Sequence, residues 1–248
     1  MSCDRANKIL LLFLLLCTAG AAADQTRLPE RFSAVYSLSQ GGVTLARLER
    51  EGHRAEDGSY VIESEARPVG LAAWILRATS RERSQWRLEG DRVVPLRYFY
   101  EETGGREKSM DLFFDWEKGI AIDHRSHRRW ELPEDAQDQT SIQFAIMAAL
   151  RQGKERFHFS LLDGKRIKSH HYRVLARKRL DTALGRLEVV EVKEIRPPGR
   201  RHSIFWCSPR HAYLPMRIEQ RKRGTIPLIT VIEELKGFPR QELARANW

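Results

Sequence analysis

Apolar and polar residues alternate with a period of two along most of this chain. A segment patterned that way must bury one face of a strand and wet the other. In "FSAVYSL" the residues Phe32, Ala34, Tyr36 and Leu38 share a face, and in "SMDLFFDW" so do Met110, Leu112, Phe114 and Trp116. "RYFYEE" sets Tyr98 and Tyr100 opposite Phe99. "RFHFSLL" aligns Phe157, Phe159 and Leu161, and "LPMRIEQ" aligns Leu214, Met216 and Ile218. Between these runs stand turn formers: Gly41-Gly42, "EDGS" at 56–59, "EGD" at 89–91, Gly104-Gly105, Asp163-Gly164 and Gly185. Asp-Gly and Gly-Gly supply the positive φ angles of tight hairpins, so the strands read as antiparallel neighbours. "RPPG" at 196–199 is a stiffer connection. Pro227, near the start of "TIPLITVIEEL", is expected to mark the last strand as an edge.

One segment departs from this pattern. Within "EDAQDQTSIQFAIMAAL", Ile142, Phe144 and Ala145 through Leu150 are apolar nearly all the way round a helix, which predicts burial on several sides. Thr140 is placed to cap it, with Gln143 completing a capping box, and Asp138 is a rival cap; Gly153 is placed to end it. The fold expected is mainly β, a curved antiparallel sheet or incomplete barrel with this helix as a plug. "VGLAAWIL", Val69–Leu76, is short enough for a strand, a helical turn or an exposed apolar loop.

The first residues carry an address. Arg5 and Lys8 precede the apolar run Ile9–Cys17, then "TAGAAA", which together form an export signal ending at Ala23. The run is shorter than the about 20 apolar residues of a spanning helix. The expected organisation is a signal peptide over 1–23 and a single β-rich domain over 24–248, located in the bacterial periplasm. Cys3 and Cys17 leave with the signal, so Cys207 stands alone and no disulfide framework is available. Stability then rests on a hydrophobic core.

The net charge of +10 is concentrated in bursts, "HRSHRR" (124–129), "RKR" (177–179), "RPPGRRH" (196–202) and "RKR" (221–223). In an exported chain these point to anionic membrane surfaces or anionic envelope polymers rather than to nucleic acid. The protein is expected to be a monomer.

From Phe32 to Leu235 the order of motifs resembles the domain-of-unknown-function 3108 family of secreted bacterial proteins. The matching features are an early Tyr strand with a Gly-rich turn, "RSQWRLEGDRVVPLRYFYEE", "LFFDW", "DQTS" leading into the apolar helix, and "WCSPRHAYLPMRIEQRKRGTIPLITVIEEL". Cys207, where an aromatic is more common, and the unusually apolar residues 71–77 depart from it. The resemblance implies an envelope protein of curved half-barrel type that encloses a helix and sometimes an apolar ligand.

Catalytic motifs are weak. His124 and His127 lack a third ligand and sit among arginines, and His170–His171 would face opposite ways on a strand. No G-x-S-x-G elbow or phosphate-cradling loop is present. Cys207 reads as a small buried hydrophobe beside His202 and His211. Asp138, Thr140 and Ser141 read as structural groups at the helix start. No cofactor or metal is expected. The leading reading is a non-enzymatic binder of a lipid or lipid-linked glycan, with Trp74, Trp86, Phe114, Phe144 and Ile146 lining the ligand site. An envelope hydrolase using Asp138, Ser141 or a histidine is one alternative. A module offering the sheet edge around Ile226–Val231 to a partner is another.

Overall fold

A computed structural model describes residues 28–75, 78–105 and 107–238. The export signal read over 1–23 lies outside the described residues. The first half of the described chain supplies β1 (Arg31–Gln40), β2 (Val43–Arg54), β3 (Tyr60–Pro68), the short turn of helix α1 (Ala72–Ile75) and β4 (Thr79–Glu89). β5 (Arg92–Thr103), β6 (Lys108–Asp115), β7 (Ile120–Asp123), β8 (Arg129–Glu131) and β9 (Ala136–Gln137) follow. Helix α2 (Ser141–Arg151) then precedes β10 (Arg156–Leu162), β11 (Ile167–Thr182), β12 (Gly185–Ile195), β13 (His202–Ser208), β14 (Leu214–Arg221) and β15 (Leu228–Lys236).

All fifteen strands join one sheet in the order β8-β7-β6-β5-β4-β3-β2-β1-β15-β14-β13-β12-β11-β10-β9. Neighbours are antiparallel, apart from the parallel pair of β9 and β10. Two meanders, β1–β8 and β10–β15, are therefore fastened side by side through β1 and β15. The expected edge position of the last strand is corrected by this pairing. β15 is central, held by β1 on one side and β14 on the other. Pro227 precedes the strand, where its missing N–H removes no ladder bond.

The sheet curls without closing, and its ends β8 and β9 are not hydrogen-bonded to each other. Side chains bridge the seam instead. Gln137 Nε2 donates to the Val93 carbonyl at 2.8 Å, and Arg92 Nη1 donates to the Glu134 carbonyl at 3.0 Å. Leu162 at the end of β10 packs with Tyr98, Leu112, Phe114 and Ala121 from β5, β6 and β7.

Helix α2 lies inside the curl, with nine of its eleven residues buried. Phe144, Ala145, Met147 and Ala148 pack against Phe32, Tyr36, Tyr60, Trp86 and Met216. Ile142, Ile146, Ala149 and Leu150 pack against Phe157, Tyr172, Val192, Phe205 and Cys207. The all-round apolar surface thus has two β walls to meet. Gly153, at φ 72°, turns the chain out of the helix.

The Phe32 ring needs a particular neighbour. It lies opposite Gly52 on β2, where an added Cβ would come within 2.1 Å of a ring carbon. Substitution G52A is expected to push the ring from its seat and lower stability by about 1–3 kcal/mol. Urea denaturation measures this, and an unchanged midpoint would place the ring elsewhere.

Candidate functional site

The loop before α2 is assembled around a buried carboxylate. Asp138 is 0% exposed, and its Oδ1 accepts the backbone N–H groups of Thr140 at 2.8 Å and Ser141 at 2.7 Å. Its Oδ2 accepts the Ser84 hydroxyl from β4 at 2.9 Å. In return Ser141 Oγ accepts the Asp138 N–H at 2.9 Å. This is a reciprocal cap with Asp138 and Ser141 as its two members. The Thr140–Gln143 box expected from sequence does not form. Thr140 has helical backbone angles and makes no side-chain cap bond; its hydroxyl donates to Glu82 Oε2 at 2.7 Å. Asp138 prevails because Ser84 reaches it across the sheet, a partner invisible in a local motif.

Burial outweighs those donors and raises the Asp138 carboxyl to about 6. Its folded-state value lies above its unfolded one, so the folded protein holds this proton more tightly. The associated stability is therefore complete below about pH 4 and is lost as pH rises through 6, by about 3 kcal/mol in total. The neutral variant D138N is expected to flatten the urea midpoint between pH 4 and 7 by that amount. Parallel pH profiles for the two proteins would contradict this origin.

Space remains inside the curl above and below the helix. At the upper end, where the β1–β2, β3–β4, β12–β13 and β14–β15 connections turn, a cavity of about 370 Å³ opens. Its walls include Leu38, Leu48, Ile142, Leu161, Tyr172, Phe205 and Ile218. Polar groups occupy its floor and one side: Arg50, Ser64, Glu82, Gln139, Gln143, and the pair His170–Glu194, whose Nδ1 and Oε1 are 2.8 Å apart. The Glu194 carboxylate, which also accepts the Ser203 N–H at 2.9 Å, stays below the usual range despite burial because of these partners. At the lower end a second cavity of about 360 Å³ is lined by Tyr60, Trp86, Val93, Phe144, Met147 and Arg151. Its wall also includes Leu28.

The structure separates the five residues expected to line one ligand site. Trp86 and Phe144 meet, with ring centroids 5.1 Å apart, and both face the lower cavity. Ile146 is buried on another side of α2, and Phe114 belongs to the cluster at the seam. Trp74 stands 84% exposed on α1 beside Leu71, 82% exposed. The residues that frame the upper cavity were missed because they are scattered over ten strands and the start of α2. Arg50 had only its strand phase as a signal, two residues from Leu48 and Gly52.

Groups suggestive of catalysis do not converge. Neither Asp138 nor Ser141 lines either of these two cavities, and both are engaged in the cap. Among the described residues no group of three His, Cys, Asp or Glu side chains is arranged to hold a metal. Cys207 is buried, and burial alone pushes its thiol up, away from the reactive thiolate.

Fold and cavities together define an open β-barrel plugged by an internal helix. The chain belongs to the family described as "Protein of unknown function (DUF3108)", whose model matches residues 35–226. The "Beta-barrel-like Protein of Domain of Unknown Function DUF1849" from Brucella abortus has a similar fold. It superposes with a TM-score of 0.57 at 12% identity, over 84% of this chain and 98% of that one. Weaker likenesses are a "putative lipoprotein" from Parabacteroides distasonis (TM-score 0.38, 12% identity, 84% and 97% coverage) and a Bacteroides fragilis "putative exported protein with YmcC-like fold" (0.32, 9%, 83% and 95%). No curated protein matches the chain.

Proposed function

We propose that this is an exported protein of the bacterial envelope that takes up an amphipathic molecule, a lipid or lipid-linked glycan, into the upper cavity. The cavity volume lies within the about 300–1,000 Å³ common for small-molecule sites. The observation that carries the reading is a coincidence at one end of the barrel. The mouth, four exposed apolar side chains and three basic connections all lie there.

Val43 at the start of β2, Leu71 and Trp74 in the β3–β4 connection and Ile226 in the β14–β15 connection are exposed at the end where the mouth lies. Single exposed apolar residues are ordinary, whereas a group on adjoining turns marks a surface that meets something apolar. The connections 196–202 and 221–223 turn at the same end, and 124–129 turns toward it. Basic segments beside an anionic bilayer contribute about 1 kcal/mol per Lys or Arg, and Trp favours the headgroup level. The barrel would then rest mouth-down on an anionic membrane, its cavity open to the lipid. Among the described residues no helix is long and apolar enough to cross a membrane.

Flotation with vesicles of phosphatidylglycerol and phosphatidylethanolamine tests this reading. Binding is expected at low salt, absent with phosphatidylcholine alone, and weakened about tenfold in the double variant L71S/W74S, the equivalent of about 1.4 kcal/mol. Equal binding of wild type and the double variant to both vesicle types would remove the docking face.

A further inference from the structure

We propose that Arg50 anchors the ligand's head group, so that the upper cavity selects amphiphiles carrying an oxyanion, a carboxylate or a phosphate. The inference rests on the reading of that cavity as a ligand site and specifies what the site accepts.

Arg50 is 6% exposed and, among the described residues, is the one cation in the buried set. Its Nε donates to Ser64 Oγ at 3.0 Å and its Nη1 to Gln143 Oε1 at 2.9 Å. Its guanidinium carbon lies 5.9 Å from the Tyr36 ring centroid. All of these partners are neutral. No carboxylate partners Arg50 among the described residues, and its Nη2 has no acceptor there. The other buried charge on the cavity wall differs in this respect: Glu194 is paired with His170 and Arg196.

A charge withdrawn from water without a counter-ion is costly, by several kcal/mol in folded proteins. The position of Arg50 on the cavity wall supplies a remedy, because an anion entering the cavity can reach the free edge of its fork. Arginine's planar donors match carboxylate and phosphate oxygens two at a time. Gln143 reinforces the selection. Its carbonyl oxygen is turned to Arg50, and its amide nitrogen has no acceptor among the described residues. Two residues of the cavity wall therefore each carry a donor without an acceptor among the described residues. Neither of the cavity's two carboxylates bonds Arg50: Glu82 Oε2 accepts the Thr140 hydroxyl, and Glu194 is paired with His170 and Arg196. Leu38, Leu48 and Ile218 leave an apolar wall for a tail directed toward the mouth.

Displacement of the neutral fluorophore N-phenyl-1-naphthylamine by dodecanoate, dodecyl phosphate and dodecanol tests the assignment, since the three share a chain and differ in the head. Wild type is expected to bind at least one anion about tenfold or more tighter than the alcohol. The preferred anion then separates a carboxylate source from a phosphate source. R50Q is expected to erase that preference while keeping dodecanol affinity. Q143E, which places a carboxylate on Arg50 and leaves the guanidinium in position, is expected to erase it too, guarding against a folding defect in R50Q. Equal affinity for the three probes in wild type, or a preference that survives both substitutions, overturns the anchor while the cavity reading stands. Failure of every probe to bind overturns both.

Discussion

The structure depends on a helix with no polar side being held inside a sheet that has not closed around it. Each large apolar side chain that α2 buries contributes about 1.5–3 kcal/mol, and a helix of this length would be marginal in water. The sheet must therefore curl far enough to touch α2 on two sides, which two fastened meanders can do and a single flat sheet cannot. The helix start is enclosed as well, so its first N–H groups need an internal acceptor. Asp138 is that acceptor. Its unfavourable burial is a consequence of putting a helix end where water does not reach.

The position of α2 along the barrel also decides where internal space remains. Its last turn reaches the lower rim, where Arg151 Nη2 donates to Asp91 Oδ1 at 2.7 Å. Its first turn stops short of the upper rim, leaving the larger strand walls without a filling. The floor of that space is polar because β2, β3 and β4 present Arg50, Ser64 and Glu82 in one cross-strand row. The two ends of the barrel are consequently unlike. The lower turns mix acids and bases, whereas the upper connections are basic and carry Leu71 and Trp74 outward.

Much of the fold was legible in the sequence. Period-two alternation located the strands, and Phe32, Ala34 and Tyr36 are buried as their spacing requires. The apolar surface of residues 142–150 announced a plug. Pairing order was not legible, because β1 meets β15 across nearly the whole chain and nothing local in either strand names the other. Pro227 misled for the same reason, since an edge signal and a residue just before a central strand look alike. The candidate site was harder still. Trp86 and Phe144 were found as aromatics, yet Arg50 stands in "ARLEREGHR" between Arg47 and Arg54 with no chemical feature to separate them. The phase of the strand, fixed by tertiary pairing, turns Arg50 inward and Arg47 outward, while Arg54, in phase with Arg50, sits at the strand's end beside the lower cavity.

Native mass spectrometry of the protein expressed from its full-length sequence in a bacterial host, isolated gently and then extracted with solvent, tests the central claim most directly. The account predicts a stoichiometric adduct whose extracted species joins an apolar chain to an acidic head. A bare chain mass in every preparation, with nothing recovered in the extract, would contradict it.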